Sequence, residues 1–490
     1  MSIFSQNVRT TIIDPTFFNS PRTGGAGRCE FRLSNRADAY LPTFRLGNVG
    51  LALDDGTLIN RYADGPGCFS CIDRIRLMDG GTEIDGLRNV GQWLTFKSLQ
   101  KTNSQNINVF NNLEGGSLGV SLGATGELLS HGDKPVSKGT PSTLGTLDLR
   151  EVFPILNSLS HLSMSLWKNL RVVIEYVPMT QHQKLVHSTV AANVAELHIP
   201  LPILIVDEID DAVLVATLDK QLTQVQWTSI EHDLANIVEV PGVSAGDNET
   251  AVVQHTALRI NGFQNKAVSR MLVVKNYENS LHNVVPDLAG QPVVRGLGGY
   301  GSRALHKEQF NLRLNGRNVL AGNGLTSPAQ ISMMLSDVWG DMNATPFSNT
   351  ESVGLDSTYD LTVATVPIGL PPRNWKGVRE CFPPVPGLDG TLPTSAGGGR
   401  LTTPPDAPQT WDVAPTSTQG TYIGNSSFIG IPIHDRVSSL QIDVVRTGTK
   451  SIAGGSSSSA GNYQSLNLNI FCEVSKQMQI GGGKYMISYE

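Results

Sequence analysis

The segment Gly296–Gly301 (GLGGYG) has the glycine spacing of a dinucleotide-binding loop. In such loops the glycines allow a helix N-terminus to approach the pyrophosphate of the cofactor. The residues that follow, 302–316, soon become strand-like, and no acidic residue stands at the end of a second strand. We therefore expect a flexible loop at this position and predict no cofactor-binding residues.

Two other segments contain potential metal ligands. Cys68 and Cys71 have CxxC spacing, but neither a second pair nor a nearby histidine completes a zinc site, and a redox pair would need a helix N-terminus where a strand is expected. Asp207–Asp211 (DEIDD) is rich in oxygen ligands but lacks the spaced ligands and the glycine of a calcium loop. We predict buried structural cysteines, a solvated acidic turn and no metal site.

The remaining polar motifs also indicate no chemistry. His182 and His187 lie in a polar segment without an HExxH pattern, so we expect solvated loop histidines. Glycosylation sequons occur at Asn248, Asn343 and Asn425, and without a signal peptide we interpret them as chance matches. The GxSxG spacing of a nucleophile elbow occurs at 115–119, 119–123 and 242–246, but it stands in loop-like sequence without a predicted strand before it and a helix after it, so it nominates no nucleophile. We predict that the protein is not an enzyme and has no catalytic residues.

The composition indicates a folded, turn-rich protein with more than one domain. A chain of 490 residues exceeds the size of a single hydrophobic core, and 50 glycines indicate many turns. The net charge of −6 provides no overall excess of positive charge that could bind a phosphate backbone, so we expect no direct nucleic-acid binding. Residues 1–25 lack a secretory signal, and no apolar run is long enough for a membrane span. The five cysteines are too few and scattered for a disulfide framework, which favours folding in a reducing compartment: Cys29, Cys68, Cys71, Cys381 and Cys472.

Most of the segments with a recognisable secondary-structure pattern predict short β-strands. They are rich in β-branched and aromatic residues and are separated by Asp/Gly or Asn-Gly turns. In 466–480 the apolar residues occupy alternate positions on one predicted face, interrupted by Lys476. The segment 197–205 also alternates, but Pro200 and Pro202 favour an edge strand or an extended connector. The strand-like segments are 29–35, 41–53, 71–81, 256–263, 269–277, 308–320, 437–448 and 466–480.

Three segments depart from this strand pattern and predict helical inserts. Residues 87–101 have apolar side chains near helical spacing, and 146–162 predict one amphipathic helix or two short ones before a strand at 169–177. Residues 327–342 predict a helix with Ser327 as N-cap and Pro328 at the first helical position.

The order of these elements predicts two similar halves. Each half contains strands, a helical insert and further strands, and no short sequence repeat indicates a solenoid or propeller. We therefore predict an all-β protein with two tandem eight-stranded antiparallel jelly-roll β-sandwiches, short helical inserts and long loops. The expected organisation is an N-terminal arm at 1–25, a first jelly roll at 26–215 and a second at 216–490, with long loops at 111–145 and 383–425.

Several landmarks together resemble the double jelly-roll major capsid proteins of icosahedral DNA viruses in the adenovirus and tectivirus lineage. Within that family they are similar to the virophage and polinton-like members. They are the strand-like segment RCEFRLSN at 28–35, the segment LDLREVFPIL at 147–156 leading into NLRVVIEYV, the Asn-Gly turn in FNLRLNGRNVL at 310–320, and a last strand near the C-terminus. The resemblance covers most of the chain as an order of landmarks. The long loops at 111–145 and 383–425 depart from it.

The resemblance implies a structural role. In that family the strands stand along the particle radius and the helical insert lies where neighbouring barrels meet, so we expect Phe153, Leu156 and Leu159 to be buried against the first barrel. A core-packing crossover is an equally good interpretation of the insert. Three two-barrel chains supply six walls for a hexagonal lattice position, which implies a pseudo-hexameric homotrimer, or capsomer.

The partners implied by the family are therefore other copies of the chain in the trimer and in neighbouring capsomers, together with penton and minor or cement proteins. The implied location is the virion, after synthesis in the host cytoplasm. The alternative function is a carbohydrate-binding or glycan-degrading β-sandwich, because jelly rolls also occur in lectins and glycanases. The low aromatic content of 6% and the dispersed tryptophans disfavour the aromatic platforms that such a site would need.

Overall fold

A computed structural model describes most of the two predicted sandwiches and part of the long loops. The described residues are 8–20, 27–33, 37–53, 60–62, 67–101, 120–122, 128–130, 135–136, 144–178, 186–187, 197–237, 253–277, 284–286, 292–294, 308–320, 322, 324–325, 328–340, 366–367, 410–411, 428–447, 466–481 and 483–489.

The described part of the first half is built from short antiparallel strands. In chain order they are β1 (Val8–Ile13), β2 (Phe17–Asn19), β3 (Arg28–Arg32), β4 (Ala39–Tyr40), β5 (Arg45–Val49), β6 (Ala52–Leu53), β7 (Asn60–Tyr62), β8 (Ile72–Asp79), β9 (Thr82–Arg88), β10 (Val120–Leu122), β11 (Leu128–Ser130), β12 (Pro135–Val136), β13 (Gly145–Asp148), β14 (Leu162–Ser163), β15 (Leu170–Tyr176), β16 (Val186–His187), β17 (Leu197–His198) and β18 (Ile203–Ile209).

Among the described residues, the second half has fewer strands than the first, and its sheet-forming strands are longer. They are β19 (Gln224–Ile237), β20 (Val253–Ile260), β21 (Ala267–Tyr277), β22 (Val284–Pro286), β23 (Pro292–Val294), β24 (Glu308–Leu314), β25 (Arg317–Asn318), β26 (Val366–Pro367), β27 (Thr410–Trp411), β28 (Phe428–Arg436), β29 (Leu440–Thr447), β30 (Leu466–Gly481) and β31 (Lys484–Tyr489). The α-helices among the described residues are α1 (Val90–Lys101), α2 (Ile155–Ser158), α3 (Ala212–Gln221) and α4 (Pro328–Trp339).

Four large antiparallel sheets form two sandwiches. In the first half, sheet A has the order β13-β5-β18-β4-β14 with β1 added on β18, and sheet B has the order β2-β3-β15-β8-β9. In the second half, sheet C has the order β19-β30-β21-β28 with β31 added on β30, and sheet D has the order β20-β29-β24-β25. Among the described residues, no strand before α3 pairs with a strand after it.

Each sandwich buries apolar side chains between its two sheets. The second core contains Ile470 and Val273 from sheet C and Leu312 and Ile442 from sheet D. The cluster of the first barrel extends further, because it also includes side chains from the outer surface of sheet C and from α4. The predicted all-β fold with two tandem jelly rolls is confirmed, and the two barrels share one continuous apolar cluster at their junction.

The predicted helical inserts are confirmed. The segment at 87–101 contains α1, and the segment at 327–342 contains α4, which begins at Pro328 as predicted. The predicted N-cap Ser327 lies outside the described residues. The insert at 146–162 forms two short helices, a 3-10 helix at Leu149–Glu151 and α2.

The prediction for 197–205 is confirmed for the first part, where Pro200 and Pro202 lie in a connector, and is wrong from Ile203 onwards. Residues from Ile203 onwards form β18, an interior strand that pairs with β1 on one side and with β4 and β5 on the other. Leu197 and Ile199 are buried as the alternation predicts, but Leu201 is exposed and Leu204 and Val206 face the core, so the buried face changes after the connector. The prolines lie in the irregular connector before the strand, and this connector shifts the alternation by one residue.

Helix α3 was not predicted, because the acidic segment before it was interpreted as a turn. Asp211 caps this helix by accepting a hydrogen bond from Leu214 N at 3.0 Å. Asp at the N-cap followed by AVLVATLDKQ is the signal that could have revealed the helix. The expected domain boundary between 215 and 216 falls within α3, and the division into 26–215 and 216–490 stays a prediction.

The predicted N-terminal arm and long loops are only partly described. Within 1–25, β1 pairs with β18 and β2 pairs with β3, so this segment contributes to both sheets of the first barrel. Within 111–145 the structure describes short strands, and within 383–425 it describes only β27. The arm and the role of both loops stay predictions.

Candidate functional site: the seam between the barrels

An aromatic cluster joins the two barrels. Trp93 and Phe96 on α1 contact Trp339 at the end of α4, with ring centroids 5.9 Å and 5.2 Å apart and nearly perpendicular planes. Phe471 of β30 lies 5.8 Å from Trp93. Arg270 covers the Trp339 ring at 4.0 Å. These side chains come from both halves, so burial of their large apolar surfaces stabilises the junction itself.

The helical insert of the first half packs into this seam. Phe153, Leu156 and Leu159 are buried, as predicted, and belong to the cluster of the first barrel. Helix α2 also lies against β19 of the second half. The Trp93 indole donates a hydrogen bond to the carbonyl of Glu151 at 3.1 Å and thereby connects α1 to the insert. The insert therefore meets the other barrel of the same chain.

A buried network of charged groups crosses the seam beside the insert. Ser229 Oγ of β19 donates to Asp85 Oδ1 of β9 at 2.5 Å, and Lys476 Nζ of β30 donates to Ser229 Oγ at 3.1 Å. Glu231 forms ion pairs with Lys476 at 3.1 Å and Lys266 at 2.5 Å. Asp85 belongs to the first barrel, and its Oδ2 also accepts a hydrogen bond from the backbone N–H of Ile155 in the insert at 3.3 Å.

Burial and the neighbouring charges set the protonation of this network. Burial raises the pKa of Asp85 to about 6, although the Lys476 ammonium opposes the shift. Burial alone would lower the pKa of Lys476, but the carboxylates of Asp85 and Glu231 outweigh it and hold that pKa above its ordinary value. Burial would raise the pKa of Glu231, but the two lysines lower it overall. Near neutral pH the network is therefore charged.

A second, uncharged link lies further along β30. Asn469 Oδ1 accepts hydrogen bonds from Asn89 Nδ2 of the first half at 2.7 Å and from His232 Nε2 of β19 at 3.0 Å. Burial lowers the pKa of His232 to about 4, so this imidazole is neutral near pH 7. Asn89 has a positive φ of 55°, a conformation that asparagine tolerates better than most residues.

The linker helix α3 is fixed to the first barrel by its Asp219. One carboxylate oxygen lies 2.8 Å from His161 Nε2, and the other accepts hydrogen bonds from the hydroxyls of Ser163 at 2.8 Å and Ser165 at 3.0 Å. Ser160 Oγ lies 2.9 Å from His161 Nδ1. A serine, a histidine and an aspartate in contact resemble a catalytic triad, but this imidazole is fully buried. The arrangement anchors the helix.

A polar cleft of about 340 Å³ opens at the seam between α1, the insert and β19. Several of its charged side chains are paired: Arg150 with Asp148, Glu151 with Lys101, and Glu473 with Arg270. The Lys97 ammonium also lines the cleft and lies 5.8 Å from the Trp93 ring centroid, and burial lowers its pKa. The residues that line this cleft include no serine, cysteine or histidine.

The cysteines behave as structural side chains. Cys68 and Cys71 lie fully buried in a 3-10 helix at Gly67–Cys71, where the sequence had indicated a strand. Burial raises the pKa of the Cys71 and Cys472 thiols well above the ordinary value, and it raises that of Cys29 to about 12. These thiols are therefore protonated and unreactive. The fifth cysteine, Cys381, lies outside the described residues.

The acidic segment Asp207–Asp211 takes part in structure rather than in metal binding. Asp207 accepts hydrogen bonds from Thr10 and Thr43, each at 2.6 Å, and Glu208 pairs with Arg9 at 2.6 Å. In the described part of the chain, no group of three or more His, Cys, Asp or Glu side chains could hold a metal ion.

The other predicted motifs cannot be placed in the same detail. His187 lies in β16. The glycine-rich loop at 296–301, His182 and the three sequon asparagines lie outside the described residues. Within the described ranges, no helix is both long and apolar enough to cross a membrane.

Comparison with known proteins shows similarity at the level of structure. No protein-family model matches the sequence, and a search of curated proteins also found no match. The structure resembles PBCV-1 VP54, fitted into a cryo-EM reconstruction of the virophage Sputnik, with a TM-score of 0.51 and 11% sequence identity over 99% of this chain and 97% of that chain. A chain in the cryo-EM structure of the Sputnik virophage gives 0.50 and 8% over 100% and 89% of the two chains.

The mavirus major capsid protein gives a TM-score of 0.49 and 10% identity over 100% of this chain and 91% of that chain. The match to VP54 spans nearly the full length of both chains, so it covers both barrels and the seam that joins them. At these identities the similarity concerns the fold. The resemblance inferred from the sequence landmarks is confirmed at that level, and the chain has the double jelly-roll fold of viral major capsid proteins.

Proposed function

We propose that this protein is a structural major capsid protein that forms pseudo-hexameric homotrimers, and that these capsomers tile an icosahedral viral shell. The observation that carries the proposal is the nearly full-length match to chains placed in virus particles, VP54 in a virophage reconstruction and the Sputnik virophage itself. The proposed location is the virion.

The seam supports this proposal in physical terms. A trimer of two-barrel chains can act as a six-sided tile only if the two barrels of each chain keep a fixed angle. The aromatic cluster around Trp93 and Trp339 and the charged network around Lys476 tie the barrels together at several points. A hinge between domains would instead show a small, polar interface.

The features that would support an enzyme or a glycan-binding protein are weak in the described residues. Trp93, Trp167, Trp227 and Trp339 are all buried, so none offers an exposed platform for a sugar ring. Penton and minor or cement proteins are proposed as further partners because a closed shell needs vertices and joints.

Light scattering on the purified full-length protein tests the proposal. We expect a species of three times the chain mass of 52.7 kDa, or larger particles, and negative-stain images should show six-sided tiles. A stable monomer at all concentrations, or a monomer that binds glycans, would contradict the capsid function and favour the carbohydrate-binding alternative.

A further inference from the structure

The outer surface of sheet B carries an unusual set of side chains, which we call the arginine face. Its five strands contain no lysine. Their alternate residues Phe31, Ile75 and Val172 point into the core, so the arginines lie on the opposite surface. The arginine face contains six arginines: Arg28, Arg32, Arg74, Arg76, Arg88 and Arg171.

Three glutamates hold part of this set in place. Glu30 accepts from Arg28 at 3.0 Å and from Arg171 at 2.9 Å, and Glu83 accepts from Arg74 at 2.8 Å. Glu175 pairs with Arg76. Six guanidinium groups outnumber the three glutamates that pair with them, although Asp73 of β8 is a further exposed carboxylate of this sheet. The glutamates therefore preorganise the arginines without neutralising them.

The composition of the arginine face favours a protein partner over nucleic acid. Arginine and aromatic residues are enriched in protein interfaces, whereas lysine is depleted. Phe17, at the edge of the face on β2, has 52% of its surface exposed. Interleaved carboxylates would repel a phosphate backbone, but planar guanidinium groups can pair with carboxylates in two-point contacts.

The same chain contains a complementary surface, the acidic corner, at the end of β18. Its acidic side chains are Asp38, Asp207, Asp210 and Asp211, and the exposed Arg9 of β1 lies among them, paired with Glu208 and near Asp210. Asp38 is held beside this strand end, because its N–H donates to the carbonyl of Ile209 at 3.1 Å. Asp38 and Asp210 are exposed, and beside them Val213 on α3 has 80% of its surface exposed.

The two surfaces cannot meet within one chain. The arginine face is the outside of sheet B, and the acidic corner belongs to sheet A on the other side of the same sandwich. We propose that the arginine face of one copy binds the acidic corner of a second copy of this chain. Such a heterologous contact repeats from copy to copy, which suits a closed ring or a lattice. This inference rests on the proposed capsid function, because it names a contact for that assembly.

Charge reversal of the exposed members tests the proposal. Sedimentation velocity over a range of concentrations would compare the full-length protein with R32E/R88E and with D38R/D210R. We expect each double variant to associate about tenfold more weakly or worse, because like charges then face each other. Combining all four substitutions in one chain, R32E/R88E/D38R/D210R, should restore association, since every contact between copies then pairs opposite charges again. The matched control is R317E, an exposed arginine on sheet D, which should associate like the wild type.

The outcomes separate this contact from the capsid function. If the wild-type protein assembles and both reversed variants assemble equally well, or if the folded quadruple variant does not recover association, the contact is wrong while the capsid proposal stands. If the wild-type protein does not self-associate at all, the capsid proposal itself fails. Circular dichroism and thermal melts of all variants identify any loss through misfolding. If duplex DNA binds at 0.15 M salt, and R32E/R88E abolishes that binding but not self-association, a nucleic-acid surface replaces the proposal.

Discussion

Replacing Lys476 with methionine removes the cation at the centre of the seam while keeping a side chain of similar length. The Lys476 ammonium contacts Ser229 Oγ and Glu231, each at 3.1 Å, and its side chain is only 10% exposed. Removing one partner of a buried ion pair costs about 3–5 kcal/mol, because the remaining charge stays buried. Lys266 still pairs with Glu231 in the variant, so we expect a loss near the lower limit, about 3 kcal/mol.

The pH dependence of this loss identifies its cause. The pKa of Asp85 is about 6 in the folded protein and 3.8 in its ordinary state. The ionised carboxylate therefore destabilises the folded protein above pH 6, and protonation removes this destabilisation as the pH falls from 6 towards 4. Without the Lys476 ammonium the pKa of Asp85 rises further, and the relief on acidification becomes larger. The K476M variant should therefore regain part of its lost stability between about pH 7.5 and 5.

Urea denaturation followed by tryptophan fluorescence at several pH values measures both effects. The matched control is K484M, since Lys484 is exposed on β31, and we expect it to change the free energy of unfolding by less than about 0.5 kcal/mol. The double variant D85N/K476M should be more stable than K476M at neutral pH, because it removes the uncompensated carboxylate. Equal effects of K476M and K484M, or a K476M loss independent of pH, would refute the role assigned to the network.

Three further variants probe the cores and the seam. Leu468→Asp places an unpaired charge in the fully buried second core, at a cost of several kcal/mol, so no soluble folded protein is expected from expression trials; normal yield would contradict the assignment of this residue to the core. Replacing both Cys68 and Cys71 by Ser should cost no more than a few kcal/mol in thermal melts, since both are structural; simultaneous loss of folding and of a bound metal would contradict this. Gly430→Ala should cost about 1–3 kcal/mol, because its Cβ would lie 2.8 Å from the Trp339 ring and force α4 outwards; an unchanged melting temperature would argue against this packing.

Local sequence signals predicted most elements of the fold because their causes are local. Pro328 starts α4, since proline suits the first turn of a helix. Asn315 and Gly316 both have positive φ, of 50° and 80°, which is why the Asn-Gly pair marks the turn between β24 and β25. The failures occurred where a neighbouring feature outweighed the pattern, as for the strand that follows Pro202.

The seam could not be predicted from the sequence because its partners are far apart in the chain. Asp85 and Ser229 are 144 residues apart, and Asn89 and Asn469 are 380 apart. Lys476 interrupts an apolar alternation, which marks it as unusual but does not identify its partners. Spatial contact between such residues follows only from the docking of two complete barrels.

Strand β30 shows how one element can serve both barrels. Its residues Leu468, Ile470 and Val474 belong to the second core. Met478 continues the same alternation along the strand but belongs to the cluster of the first barrel. The predicted single apolar face is thus shared between two cores, and Lys476 lies where the strand passes from one to the other. A residue at this crossing must be buried without belonging to either apolar core, and an ammonium paired with Glu231 meets that condition while fixing the register of the two barrels. The charged network is therefore better explained as a device that specifies how the barrels dock than as a source of net stability, since apolar side chains of the same size could fill the volume but would bind without the same directional preference.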